Sequence, residues 1–272
     1  MENFCFCVNR IIKICFYFTL SLLLNFDSQA QSKSSEIITD RPLISKSAFL
    51  VPVNDIQFEF GFEYQRQKIY KNNFTEEHEN LILGNTQIRH GLSEVVELRI
   101  GAEYFTGRVL NSGIENISKG IRGVFVGSKV QLRKNQDIIS DAALIINVNL
   151  PNGNVNLRPK EMEPGFIVAV SQNLGKGNLV CANIGGQRNS TIGKFEYIFA
   201  AFLIYKVVER TVLFLEFYDK TEKYFLKNPI TDLGLTYLLK NNLQVDFSIG
   251  GLLFSEQKNI YGKIGFSIRF PD

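Results

Sequence analysis

From Ile56 to Tyr64 every second residue is apolar or aromatic: Ile56, Phe58, Phe60, Phe62 and Tyr64. The residues between them are Gln57, Glu59, Gly61 and Glu63. Strict alternation is the period of a β-strand, whose successive side chains point to opposite faces. It confines this stretch to a sheet with one greasy and one carboxylate-bearing face, and such a sheet has two solutions. In a soluble protein the greasy face is the core. In a membrane barrel it meets lipid, and the carboxylates look into the interior.

The same pattern recurs along the chain. Val96, Leu98, Ile100, Ala102 and Tyr104 alternate with Glu97, Arg99, Gly101 and Glu103. Val124, Val126, Val130 and Leu132 stand against Gly127, Lys129, Gln131 and Arg133, and Ala142, Leu144, Ile146 and Val148 against Asp141, Asn147 and Asn149. Near the C-terminus Leu243, Val245, Phe247 and Ile249 oppose Gln244, Asp246, Ser248 and Gly250, and Ile264, Phe266, Ile268 and Phe270 oppose Lys263, Gly265, Ser267 and Arg269. Twelve strands are expected, over 55–70, 80–90, 94–106, 121–133, 139–150, 163–174, 178–187, 194–206, 210–219, 231–240, 243–254 and 259–270. Those at 194–206 and 210–219 are apolar on both faces in places, so their orientation is less defined.

The connections decide between the two solutions. Those after the even-numbered strands are short ("HGLSE", "KNQDI", "GKG", "VVER", "KNN"). Those after the odd-numbered strands are mostly longer and polar ("KNNFTEEHEN", "GRVLNSGIENISKG", "PNGNVNLRPKEME"). Short turns at one end and long loops at the other characterise an up-and-down outer-membrane barrel, whereas Greek-key sandwiches have no reason to alternate in this way. An eleven-residue strand at about 3.3 Å per residue is about 36 Å long. Tilted by about 40° it projects to roughly 28 Å, close to the apolar band of such barrels. The fold expected is therefore an all-β, twelve-stranded antiparallel transmembrane barrel over 55–270, with outer-membrane lipid and the barrel-assembly machinery as partners.

The N-terminus fits export. Arg10 and Lys13 precede the apolar run Ile14 to Phe26, which is too short to span a bilayer comfortably. Ser28–Ala30 ends a small-residue cleavage site, so residues 1–30 read as a signal peptide, an uncleaved anchor being the alternative. Cys5, Cys7 and Cys15 would leave with it; Cys181 alone remains, so the mature chain has no internal disulfide. Residues 31–54 lack alternation and form an irregular leader, either folded into the interior as a plug or trailing as a periplasmic tail. A formal charge of +3 is too small to argue for nucleic acid.

These residues resemble a known family. "ITDRPLISKSAFLVPVNDIQFEFGFEY" is similar to the start of the MetA-pathway of phenol degradation family of transporter-like outer-membrane barrels. The likeness rests on Thr39, Asp40, Arg41 and Pro42, on Ser47, Val51 and Pro52, and on Gln57, Glu59 and Gly61. "RHGLSEVVELRIGAEY" resembles its second turn and "DAALIINVNLPNGN" its mid-barrel strand. Leu43 stands where the family usually has an acid, Asn54 where a glycine commonly precedes the first strand, and Pro271–Asp272 follow the terminal aromatic. The resemblance implies a channel or transporter-like protein for small solutes, hydrophobic or aromatic ones included, and names no substrate.

Catalysis finds little support. His78 and His90 are the only histidines, one in the acidic stretch "TEEHEN" and one at a short turn. No ligand-spaced cluster suggests a metal or other cofactor, and "NFT", "NIS" and "NST" read as ordinary loop residues. The chemistry-bearing set is the polar face itself: Glu59, Glu63, Glu97, Arg99, Glu103, Lys129, Arg133, Asp141, Glu196, Asp246, Lys263 and Arg269. These residues either line a solute pathway or pair across a narrow interior and close it, which would make the protein a structural or loop-binding barrel. With that face solvated or paired, Glu59→Gln or Glu97→Gln should be mild, and Phe60→Arg or Ile100→Arg severe.

Overall fold

The computed structural model describes residues 36–71, 74–111, 113–134, 141–222, 229–252 and 258–272. The stretch read as a signal peptide, residues 1–30, lies outside them. Twelve strands follow one another: β1 Ile56–Lys71, β2 Phe74–Ser93, β3 Val96–Asn111, β4 Ile114–Arg133, β5 Asp141–Asn149, β6 Glu163–Gly175, β7 Asn178–Asn189, β8 Lys194–Val208, β9 Thr211–Thr221, β10 Ile230–Lys240, β11 Leu243–Leu252 and β12 Lys258–Phe270. Each pairs antiparallel with its sequence neighbours, and β1 closes on β12 from Ile56↔Phe270 to Lys68↔Lys258. A closed sheet leaves no unpaired edge, the condition for backbone to sit in hydrocarbon. Among the described residues no helix is long and apolar enough to cross a membrane; strands make the wall.

The greasy face looks outward. Phe62, Tyr64, Leu98, Ile100, Val126, Ile184, Leu203, Phe217, Phe247, Ile249 and Ile264 are exposed, while Gln57, Glu59, Glu97, Arg99, Lys129, Glu216 and Asp246 are buried. This inversion of the usual partition has one physical reading: the solvent of the outer face is lipid. At the β1–β12 closure Phe58, Phe60, Phe62 and Phe266 pack ring against ring, with centroids 5.2–6.1 Å apart. This cluster adds side-chain packing across the seam that joins the chain's two ends.

Strand bounds differ from expectation at one end of the barrel. The first two long connections are mostly strand, β1 and β2 running to Lys71 and from Phe74, β3 and β4 to Asn111 and from Ile114. The acidic run of "TEEHEN" faces basic residues on its neighbours. Glu77 meets Arg66 and Lys68 at 3.1 and 2.5 Å, and Glu79 meets Arg108 at 3.5 Å. Polar composition suggested loop, but complementary charge on opposed strands stabilises pairing beyond the apolar belt.

Candidate functional site: the leader inside the barrel

Residues 36–54 meet inward-facing side chains around the wall. Asp40 N–H donates to Glu59 on β1 at 3.3 Å, and Val51 N–H to Glu97 on β3 at 2.8 Å. Ala48 N–H reaches Ser171 on β6 at 3.0 Å, and Lys46 N–H reaches Asn183 on β7 at 2.7 Å. Ile44 and Ser45 N–H both donate to Glu216 on β9, at 3.0 and 2.5 Å, with the Ser45 hydroxyl on the same carboxylate. Lys263 on β12 donates to the Pro42 carbonyl at 3.1 Å, and Gln244 on β11 to the Thr39 hydroxyl at 2.8 Å. A short segment can touch strands on all these sides only from within. Its backbone groups need partners once shielded from water, and the polar wall supplies them. Ile37 N–H bonds Asn241 in the β10–β11 turn, and Val53 bridges Gly91, so both ends of the segment lie at the short-turn end.

The charged centre is Asp40. Its carboxylate accepts from Arg99 at 2.5 Å and Lys129 at 3.4 Å, and all three side chains are buried. Arg89 on β2 lies beside them, bridging Glu97 at 2.8 Å and Glu59 at 3.0 Å and donating to the Ile38 and Phe49 carbonyls. Burial works to raise the Asp40 carboxyl; Lys129, Arg89 and Arg99 outweigh it and hold it well below the usual carboxylate value. A buried acid so surrounded is ionised.

Arg41 occupies a second niche. Its guanidinium pairs with Asp246 at 3.2 Å and lies over Gly61 and Gly265, which are direct partners across the β1–β12 closure. A methyl group on either glycine would overlap the guanidinium. Here the requirement for glycine is the close approach, not a backbone angle.

The motifs quoted for the resemblance thus meet in space. Gln57 donates to the Ile38 carbonyl and to Glu59, Glu59 receives Asp40 N–H, and Gly61 makes room for Arg41. Ser47 donates to Asp40 at 3.4 Å, and Gly91 lies so close under the Pro52 carbonyl that no Cβ fits. Asn54, where a glycine is common, has φ of 65°, in the left-handed region that asparagine tolerates better than most side chains.

The remaining polar-face residues are dispersed. Glu103 pairs with Arg122 at 2.5 Å, Glu196 with Lys220 at 2.7 Å, and Arg269 with Asp55 at 3.2 Å. Asp141 is half-buried, and Arg133 lies exposed at the end of β4. Among the described residues neither histidine has a serine as hydrogen-bond partner: His78, within β2 rather than in a loop, contacts Glu76 at 2.7 Å, and His90 the Asp55 carbonyl at 3.2 Å. Among the described residues no group is arranged to hold a metal ion.

Arg89, Glu216, Asp232, Asn183 and Ser171 are also buried polar side chains of the wall, and none of them stands out in the alternation of the sequence. Arg89 was concealed by a bulge. The β1–β2 register shifts at Gly61/Phe62 opposite Gly84, whose φ is +73°, so outward parity passes from Leu81 and Leu83 to Thr86 and Ile88. Glu216 was visible as the one acid in "VLFLEFY", but Phe214 shares its face and both are buried.

The model of the MetA-pathway of phenol degradation family matches residues 39–270. The chain belongs to that family. The match begins at Thr39, so it includes the segment inside the barrel. Among solved structures, the COG4313 outer membrane channel from Pseudomonas putida F1 superposes with a TM-score of 0.62 at 14% identity, over 81% of this chain and 97% of that one. The translocator domain of the autotransporter NalP from Neisseria meningitidis gives 0.53 at 11% identity, over 80% and 90%. At these identities the likeness is one of fold, a bacterial outer-membrane barrel. No curated protein sequence matches the chain.

Proposed function

We propose that the protein is an outer-membrane channel for small solutes whose leader acts as a plug. One observation carries the reading: successive backbone N–H groups between Asp40 and Val51 are held by side chains of the wall, with Asp40 seated among Arg89, Arg99 and Lys129. A tail with no role inside the barrel needs no such set of acceptors. The transporter-like character that the resemblance implies and the Pseudomonas channel's fold support a pathway; small hydrophobic or aromatic molecules are the class the family description suggests. An N-terminal signal peptide would deliver the chain to the assembly machinery of the outer membrane.

The test is deletion of residues 31–50, read by planar-bilayer conductance and liposome swelling. Conductance should rise while the barrel stays folded, because Arg99 and Lys129, deprived of Asp40, would then face water filling the vacated interior. Unchanged conductance in a folded deletion variant would defeat the plug reading. The same seating also favours a second reading, a permanently closed structural barrel. That reading requires the intact protein to pass neither ions nor solutes under any condition.

A further inference from the structure

A cavity of about 210 Å³ lies where the leader meets β1, β2 and β12. Six charged side chains line it: Asp40, Arg41, Lys46, Glu59, Glu63 and Lys263. Four are engaged elsewhere, Asp40 with Arg99 and Lys129, Arg41 with Asp246, Glu59 with Arg89, and Lys263 with Asp232. Lys46 and Glu63 are left, and among the described residues neither side chain has a hydrogen bond or an ion pair. Glu63 stands directly across from Lys263 in the β1–β12 register, but that ammonium is turned to Asp232 at 2.8 Å and to the Pro42 carbonyl.

A third group is also unpartnered. Arg99 fixes the Gln87 side chain by donating to its Oε1 at 3.0 Å, and the buried Gln87 Nε2 has no acceptor. Gln87 lines the same cavity, as do Pro42, Leu43 and Ile44. The space therefore presents one free cation with an amide donor, one free carboxylate, and an apolar flank. Burial also draws the Lys46 ammonium below its ordinary value, against the attraction of Asp40, so an incoming anion there would be favoured.

We infer that this cavity binds a small zwitterion of the α-amino-acid type, its carboxylate on Lys46 and Gln87 Nε2, its ammonium on Glu63, and its short apolar side chain against the leader. A volume below the roughly 300–1,000 Å³ of drug-sized sites limits the ligand to a small one. The inference rests on the channel reading for its biological meaning, and the zwitterionic solute it names differs from the hydrophobic or aromatic class that the family description suggests, but its chemistry stands on the cavity alone.

Calorimetric titration of the folded full-length protein in detergent tests it with three near-isosteres: valine, isovalerate, which lacks the ammonium, and isobutylamine, which lacks the carboxylate. Valine should bind saturably, and each single-charge analogue about tenfold or more weaker, the size of one charge-assisted hydrogen bond. Glu63→Gln should bring valine down to the level of isovalerate, and Lys46→Gln to the level of isobutylamine. A heat-dependent gel shift confirms that each variant is folded, and the three ligands on the unaltered protein decide the matter if one is not. No saturable valine binding, or an analogue that binds as tightly as valine, would overturn the inference. Liposome swelling separates it from the channel reading. Valine binding without flux removes the channel and leaves the site, whereas equal flux of all three without saturable binding does the reverse.

Discussion

Asp40 and Arg41 are adjacent in sequence and serve two separate niches, and each can be disturbed alone. In Asp40→Asn the buried Arg99 and Lys129 lose their anion. Breaking a buried pair on one side costs about 3–5 kcal/mol, and here the chain can escape the cost by releasing the leader to water. Trypsin should then cut after Lys46 faster than in the parent protein while the barrel resists digestion. Acid should act on the same pair with a definite sign. A carboxyl whose folded value is depressed adds stability that is fully present above its unfolded value, near 3.8, and is lost as pH falls through the lower folded value. Leader protection against pepsin-type cleavage should therefore vary little with Asp40 ionisation down to about pH 4 and fail only in stronger acid; loss of seating between pH 6 and 5 would contradict the assignment. For Arg41 the sensitive position is across the wall. Gly61→Ala should displace the guanidinium from Asp246 and raise conductance, whereas Gly262→Ala, whose added Cβ would meet nothing closer than 3.8 Å, should leave it unchanged.

At the scale of the strand, the two faces carry different risks than alternation alone suggests. Ile100 on β3 is half exposed, on the lipid side, and Ile100→Arg near the midplane should cost about 2–4 kcal/mol. At Glu97 on the same strand, the expectation of a mild glutamine substitution rests on a face that is solvated or paired. Glu97 is paired but fully buried: it accepts from Arg89, lies 3.5 Å from the Arg99 guanidinium, and receives the Val51 N–H. Glu97→Gln should therefore be as damaging as the lipid-facing charge, by thermal unfolding monitored on gels, and a change below about 1 kcal/mol would show that water reaches this carboxylate after all. The β1–β2 bulge acts at the same scale: by flipping parity at Gly84 it turns Arg89 inward, between Glu59 and Glu97.

For the whole molecule, closure and filling are separable. The barrel is closed by β1–β12 hydrogen bonding and its outer aromatic cluster, none of which involves residues 36–54. The leader is held by side chains that would otherwise face water. Deleting it should thus leave a β-rich, heat-modifiable barrel with higher conductance. A deletion variant that fails to fold would show the leader to be part of the core.

Alternation over Ile56–Tyr64, Val96–Tyr104 and Lys263–Phe270, with short turns alternating with longer connections, was enough to determine a twelve-stranded antiparallel barrel with its carboxylates inward. Period and loop length are local properties, and a closed sheet in lipid is the one way to satisfy them together. The leader motif was visible as residue types, and so was the glycine of Gln57-x-Glu59-x-Gly61, but not that the one receives the other. That fit depends on Gly265 arriving from the far end of the chain, on Glu216 and Asn183 from mid-barrel strands, and on a bulge that turns Arg89 inward. Pairings between residues as distant as Arg41 and Asp246 leave no periodic trace in the sequence. Only closure of the barrel brings them within hydrogen-bonding reach, and burial then makes the match of charges specific.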